Sequence, residues 1–246
     1  MNSVIEAAHL TQAFGRRTIY RDVSFTVQAR EVFVILGGSG CGKSTLMRQL
    51  IGLLPPSAGT VSVLGHDMYG KGARPLPEIG VMYQSGALFG SMTLLENVMM
   101  PLTMQSDLPG SARAEIARIK LGLVGLADSA GLMPAEISGG MAKRAAIARA
   151  LALDPPLLFL DEPSAGLDPI TSAGLDQLIL DLREQLGITF VVVTHELSSI
   201  LAIADRCLML DREAQGVIAQ GDPRQLREQS SNPVVRAFFR REVLAA

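Results

Sequence analysis

Two apolar rhythms run along this chain. Val23-Ser24-Phe25-Thr26-Val27 and Thr60-Val61-Ser62-Val63 place an apolar side chain at every second position, the period of a half-exposed antiparallel strand. Val32 to Leu36, Leu157 to Leu160, Phe190 to Val193 and Cys207 to Leu210 are nearly unbroken apolar runs, the pattern of parallel strands covered on both faces. Helical patterns fall between them. Asp168-Pro169 is an N-cap followed by a first-turn proline, and Leu175, Leu178, Ile179, Leu182 and Leu186 share one face before Gly187 stops the run. After His195, Leu197, Ile200, Leu201 and Ala204 line one side of a second helix. Alternation of strand and helix implies right-handed crossovers and a mostly parallel sheet, with ligands bound beyond the carboxyl ends of its strands.

Between Gln84 and Leu153 the strand pattern disappears. Ala112, Ile116, Ile119 and Leu123 are spaced for a helix face, and Gly139 to Leu153 reads as an Ala-rich helix carrying Lys143, Arg144 and Arg149. The expected organisation is one α/β domain over residues 1–246. It has an N-terminal antiparallel β part at about 1–30 and 59–75, a helical insertion at about 86–152, a core at about 31–58, 76–85 and 153–221, and a tail at about 222–246. The Met-rich stretch Gly86 to Leu102 forms either a groove for a partner's helix or the packing of the insertion itself. Val234, Val235, Phe238 and Phe239, beside Arg236, Arg240 and Arg241, form a last helix that docks either on its own domain or on a partner.

Composition narrows the class. The 246 residues are 48% hydrophobic but 4% aromatic, without Trp, so the core is aliphatic. A net charge of −2 with no block of like charge argues against nucleic acid as a partner. No stretch approaches the roughly 18 to 20 apolar residues needed to span a bilayer, and Met1 to Glu6 shows no signal-peptide pattern. Cys41 and Cys207 are too few for a disulfide framework. Cys41 is either a reactive thiol or a small packing group.

The chemistry begins at Gly37-Gly38-Ser39-Gly40-Cys41-Gly42-Lys43-Ser44-Thr45, which fits G-x-x-x-x-G-K-[ST] and follows the apolar run Val32 to Leu36. Glycines let successive N–H groups face a phosphate, and the helix starting near Ser44 adds its positive end. Lys43 supplies a charge for β- and γ-phosphates and Ser44 a hydroxyl for Mg²⁺. Asp161 ends a buried strand, where a carboxylate needs a cation such as Mg²⁺. Glu162 follows, aimed across the phosphate, as the general base for an attacking water. His195, after another buried run, is placed to contact a γ-phosphate and Glu162. Ser138-Gly139-Gly140 opens a helix like a second anion site, which one nucleotide already cradled by the loop does not need; two copies facing head to tail would use it, each closing the other's nucleotide. Phe14 is the candidate for stacking on adenine, with Tyr20 as the fallback.

Together these residues resemble the ATP-binding cassette family of transport ATPases over nearly the whole chain. The resemblance implies a P-loop NTPase fold that hydrolyses ATP with Mg²⁺. It makes Gly37 to Thr45 the Walker A loop, Gln84 the Q-loop residue beside Mg²⁺, Ser138 to Met141 the signature, and Leu157 to Glu162 Walker B. Ser164 to Asp168 becomes the D-loop, with Asp168 near the nucleotide, and His195 the switch histidine. The family's usual signature is Leu-Ser-Gly-Gly-Gln; Ile137 and Met141 stand at its ends here, so contact rests on Ser138, Gly139 and Gly140. Ser138-Gly139-Gly140-Met141-Ala142-Lys143-Arg144-Ala145-Ala146, Gln84 to Phe89 and Glu96-Asn97-Val98 are similar to the ATPase subunit of Mla or Mce-type lipid transporters. That implies a homodimer on the cytoplasmic side of a bacterial inner membrane, an integral permease, an Mce lipid-binding protein and a small STAS-domain partner, with phospholipid as cargo. A regulator of similar fold that drives a membrane partner for signalling or cell division, without moving solute, is the alternative.

Overall fold

The computed structural model describes residues 3–70 and 78–242. The parts of the expected subdivisions that fall on 1–2, 71–77 and 243–246 lie outside the described residues. In chain order, β1 (Ser3–Phe14) and β2 (Arg17–Gln28) form a hairpin, followed by β3 (Val32–Gly37), α1 (Lys43–Leu50), β4 (Ala58–Val63) and β5 (His66–Asp67). Next come β6 (Ile79–Met82), α2 (Leu94–Gln105), α3 (Gly110–Leu123) and α4 (Gly139–Ala150). The remainder is β7 (Leu157–Asp161), α5 (Pro169–Leu186), β8 (Thr189–Val193), α6 (Leu197–Ile203), β9 (Arg206–Asp211), β10 (Gly216–Gly221), α7 (Pro223–Gln229) and α8 (Pro233–Arg240). No helix among the described residues is long and apolar enough to cross a membrane. The chain divides into two compact units, one made of the chain up to Pro75 and from Val191 onward, the other of Leu76–Phe190.

In the first unit β2-β1-β4-β5 form an antiparallel sheet with Ala7 opposite both Phe25 and Val61. Tyr20, Val23, Phe25 and Val27 are buried while Ser24 and Thr26 face solvent, as the alternation predicts. β3 runs parallel to β9, with Ile35 opposite Leu208, and all six of its residues are buried. Removing Phe33 and Ile35 from water stabilises the unit by about 1.5–3 kcal/mol each. Phe33 stacks on Phe25 at 5.4 Å, joining the two sheets of this unit. Tyr20 is no platform for a base: it is wholly buried and donates its hydroxyl to Gln49 Oε1 at 2.7 Å, while Gln49 donates to Gln12 Oε1 at 2.7 Å. α8 turns Val235, Ala237 and Phe239 inward, so the last helix packs on its own unit through that face.

In the second unit β6 runs parallel to β7, with Gly80 opposite Leu158 and Met82 opposite Leu160. Between these strands the described residues are helical or irregular, without a strand. The C-terminal end of α4 lies so close to β6 that a Cβ on Gly80 would stand 2.3 Å from the Ala150 carbonyl oxygen. α5 begins and ends as its sequence dictates, capped by Asp168 and closed by Gly187 at φ 69°. Leu175, Leu178, Ile179 and Leu182 are buried, but Leu186, expected on the same face, is the last residue of the helix and is 45% exposed. α3 departs further. Its buried residues are Ala117, Lys120 and Leu121, with Val124 at its end; of the expected face, Ala112, Ile116 and Leu123 are half-buried and Ile119 is 55% exposed. A polar residue drives the difference: Lys120 buries its aliphatic stem and pairs its ammonium with Asp154, so the inward face includes a position that periodicity counts as polar.

Candidate functional site

The first unit carries the phosphate loop. β3 ends at Gly37, whose φ of 143° and close approach to the Leu210 carbonyl, 2.2 Å from where a Cβ would lie, exclude any side chain. Gly42 ends the loop at φ 107°, with Ile19 and Tyr20 within 2.8 Å of a Cβ position. Between them Gly38, Ser39, Gly40 and Cys41 form the turn, and Lys43, Ser44 and Thr45 open α1. Thr93, Ser138, Asp168, Asp222 and Asn232 each cap their helices by side chain, whereas α1, like α3 and α6, has no side-chain cap. What sets α1 apart is the glycine-rich turn before it, and a helix N-terminus behind such a turn suits a nucleotide phosphate. Lys43 arches back over the loop and donates to the carbonyls of Gly37 at 2.9 Å and Gly38 at 3.1 Å.

Cys41 is 1% exposed and burial pushes its thiol pKa up, with Lys43 opposing. Of the two expectations for this thiol, packing holds and reactivity does not. Cys207, also buried, is pushed up to about 12. One residue before His195, the Thr194 N–H donates to Ile35 at 3.3 Å, which carries His195 beside the strand that leads into the loop. His195 is exposed and lines a cavity of about 590 Å³ with Glu196, Leu197 and Phe238. Phe14 ends β1 with its ring 51% exposed, open to a flat ligand.

The second unit carries the carboxylates. Gln84, Tyr83 and Ser85, after β6, line one cavity of about 600 Å³ together with Asp161, Ala165 and Gly166. Two expected Mg²⁺ residues, Gln84 and Asp161, thus share a wall. Such a site suits Mg²⁺, which is usually held by one or two carboxylates and the substrate's phosphates rather than by a protein cage. Among the described residues no cluster of three or more His, Cys, Asp or Glu is found. Glu162, the next residue, is 8% exposed and holds a left-handed backbone at φ 47°, a strained state for a residue with a side chain.

Ser138 and Gly139 are exposed at the start of α4, where Ser138 Oγ accepts from the Met141 N–H at 3.2 Å. The hydroxyl caps its own helix, and the exposed N-terminus remains accessible from outside. Gly140 is buried, and a Cβ there would stand 2.5 Å from the Thr171 side-chain methyl, so the packing of α4 on α5 favours a glycine here. Asp168 serves its own helix: its carboxylate accepts from the N–H groups of Ile170 and Thr171, each at 3.0 Å, and from the Thr171 hydroxyl. That hydroxyl, followed by the Thr171 N–H, holds the Asp168 carboxyl below its usual pKa.

Several residues around these groups carry little sequence signal. Asn97, wholly buried in α2, accepts from the Phe89 N–H at 2.8 Å and donates to the carbonyls of Phe89, Met92 and Thr93 at 3.0 to 3.1 Å. It folds the segment that follows Gln84 onto α2. Asn97→Ala is expected to destabilise the chain by about 2–3 kcal/mol, read as a lowered urea midpoint, because it strands buried backbone groups. Arg149 donates to Gly86 at 2.8 Å and Ala87 at 2.7 Å and lies 6.0 Å over the Phe89 ring. Met92, Met99 and Met100 line a further cavity of about 390 Å³ on α2, so the Met-rich stretch both packs inward and leaves an apolar hollow.

Comparison with known proteins follows the same lines. The family model described as ABC transporter matches residues 20–165. The chain is 43% identical over 243 residues to the probable ribonucleotide transport ATP-binding protein mkl of Mycobacterium tuberculosis, covering 97% of this chain and 67% of that one. It is 40% identical over 238 residues to the intermembrane phospholipid transport system ATP-binding protein MlaF of Haemophilus influenzae, covering 95% and 89%. Among solved structures, cbiO1 of Clostridium perfringens, part of the ABC transporter complex cbiONQ, superposes with a TM-score of 0.84 at 27% identity, covering 93% of this chain and 92% of that one. A dimeric post-hydrolysis state of the ATP-binding cassette MJ0796, bound to ADP and Pi, gives 0.78 at 29% identity, covering 89% and 98%.

Proposed function

The chain belongs to the ABC transporter family and is an ATPase using ATP with Mg²⁺, and from that premise we propose that it powers phospholipid movement between inner and outer membranes through an integral permease and an Mce-type lipid-binding protein. The observation that carries this reading is the likeness to MlaF over 95% of the chain. The proposed place is peripheral, on the cytoplasmic side of the inner membrane, as a homodimer, with a small STAS-domain protein as a further partner.

Within that reading the residues divide the work. The loop N–H groups of Gly38 to Thr45 and the Lys43 ammonium bind the β- and γ-phosphates, and Phe14 stacks on the base. Ser44, Gln84 and Asp161 hold Mg²⁺, which neutralises phosphate charge when bound. Glu162 takes the proton of the attacking water, and His195 orients the γ-phosphate. Ser138, Gly139 and Gly140 of one copy close the nucleotide held by the other, with Asp168 bracing that contact.

Two measurements test this. Lys43→Ala should weaken ATP binding by about 10- to 100-fold in a fluorescent-nucleotide titration, the loss of one or two charge-assisted bonds. Unchanged affinity would remove the loop from the account. Detergent purification of the tagged chain from its host should bring down a multi-pass permease and an Mce-type protein. Recovery of a division protein instead, or ATPase stimulation by ribonucleotides and not by phospholipid, would overturn the lipid assignment.

A further inference from the structure

Lys143 has no part in the roles assigned above, yet it sits where they meet. Its side chain is buried, one turn into the helix that Ser138 caps, and its Nζ donates to the backbone carbonyl of Gln84 and, at 3.4 Å, to that of Glu162. Gln84 follows β6 and Glu162 follows β7, and these strands are paired, so one ammonium ties both strand ends to α4. Burial draws the Lys143 pKa below its usual value, while the carboxylates of Glu162 and Asp161 oppose that fall and keep the cation favourable.

The tie matters because of the backbone it holds. A left-handed φ of 47° at Glu162 is strained for a residue with a Cβ, which this conformation crowds against the backbone. Such a conformation persists only where neighbours over-determine it. The Glu162 carbonyl accepts from the Lys143 ammonium and from the Ala165 N–H, the latter at 3.2 Å. Losing the first weakens the hold on this strained peptide, and any change in its torsions swings the Cα–Cβ bond and with it the carboxylate.

We propose that Lys143 is a positioning residue: by pinning the carbonyls of Gln84 and Glu162 to the helix that begins at Ser138, it fixes the direction in which the Glu162 carboxylate points. The helix that Ser138 caps, Gln84 and the base are thereby joined through one side chain. This rests on Glu162 being the base, so the experiment separates the two ideas.

ATP turnover, the KM for ATP, ATP-dependent dimerisation and thermal unfolding are measured for the wild type and for Lys143→Met, Lys143→Gln, Lys143→Arg and Lys120→Met. Lys143→Met and Lys143→Gln should lose about 10- to 100-fold in kcat, the usual effect of an ångström-scale misplacement. They should keep the wild-type KM and still form the ATP-bound dimer. Lys143→Arg, which retains donors for both carbonyls, should recover most of the turnover. Lys120→Met removes a buried ammonium from α3 that pairs with Asp154, and should lower the melting temperature without lowering kcat. If Lys143→Met fails to fold, the Gln and Arg variants decide. Equal kcat in Lys143→Gln and the wild type, or a loss confined to KM or to melting temperature, overturns the positioning role. A wild-type chain that does not hydrolyse ATP overturns the functional reading instead.

Discussion

Glu162→Gln is expected to reduce ATP turnover by about 10²- to 10⁴-fold, the span over which a positioned general base acts, while nucleotide affinity stays as in the wild type. Gln is nearly the same shape as Glu and keeps the backbone of a residue already held at φ 47°. What it loses is the basic carboxylate: its amide oxygen still accepts a hydrogen bond but cannot take a proton from water. Bound ATP then persists, and the chain should accumulate as an ATP-dependent dimer, seen as a doubled mass by light scattering and absent with ADP. A variant that stays monomeric at saturating ATP would contradict the head-to-tail arrangement, and one that turns over ATP at the wild-type rate would take the base role from Glu162.

The second large effect concerns sites shared between copies. Ser138→Arg places a bulky side chain at the exposed N-terminal end of α4, where it blocks the close approach of the other copy's nucleotide and sets a cation beside the helix's own positive end. Turnover should vanish in the Ser138→Arg homodimer and in the Lys43→Ala homodimer. Mixing the two should restore about a quarter of wild-type turnover if copies pair at random and sites act independently. In each mixed pair one site keeps an intact Lys43 and an intact Ser138, and the other keeps neither. Removing the cap itself costs about 0.5–2 kcal/mol, so Ser138→Ala is the control for stability, with turnover compared at a temperature where both variants are folded. No recovery on mixing would count against a composite site.

Much of this was legible before any coordinates. The boundaries of α5 follow from Asp168-Pro169 at one end and Gly187 at the other, because caps are local chemistry. The buried runs at β3, β7, β8 and β9 announce themselves because a strand covered on both faces has no polar phase to show. The phosphate loop is legible for a related reason: its glycines, Lys43 and Ser44 act through a short contiguous backbone. The buried face of α3 lies one position on from its apolar periodicity because Lys120 behaves as an inward residue once Asp154, distant in sequence, supplies its partner. Tyr20 has the composition of a binding aromatic and the environment of a core residue, and Gln49 decides between them.

The sequence by itself determined the alternation of strands and helices, the phosphate loop with its following helix, and the order of the motifs from Gln84 to His195. Each depends on spacing within a few residues or on a turn chemistry that only certain side chains permit. Tertiary structure alone decided that Glu162 is held in a left-handed backbone, that Lys143 bridges Gln84 to Glu162, that Asn97 satisfies the segment after Gln84, and that Cys41 is sealed from solvent. A buried polar group is stable only when its partners arrive from elsewhere in the chain, and which partners arrive is a property of packing that no local pattern encodes.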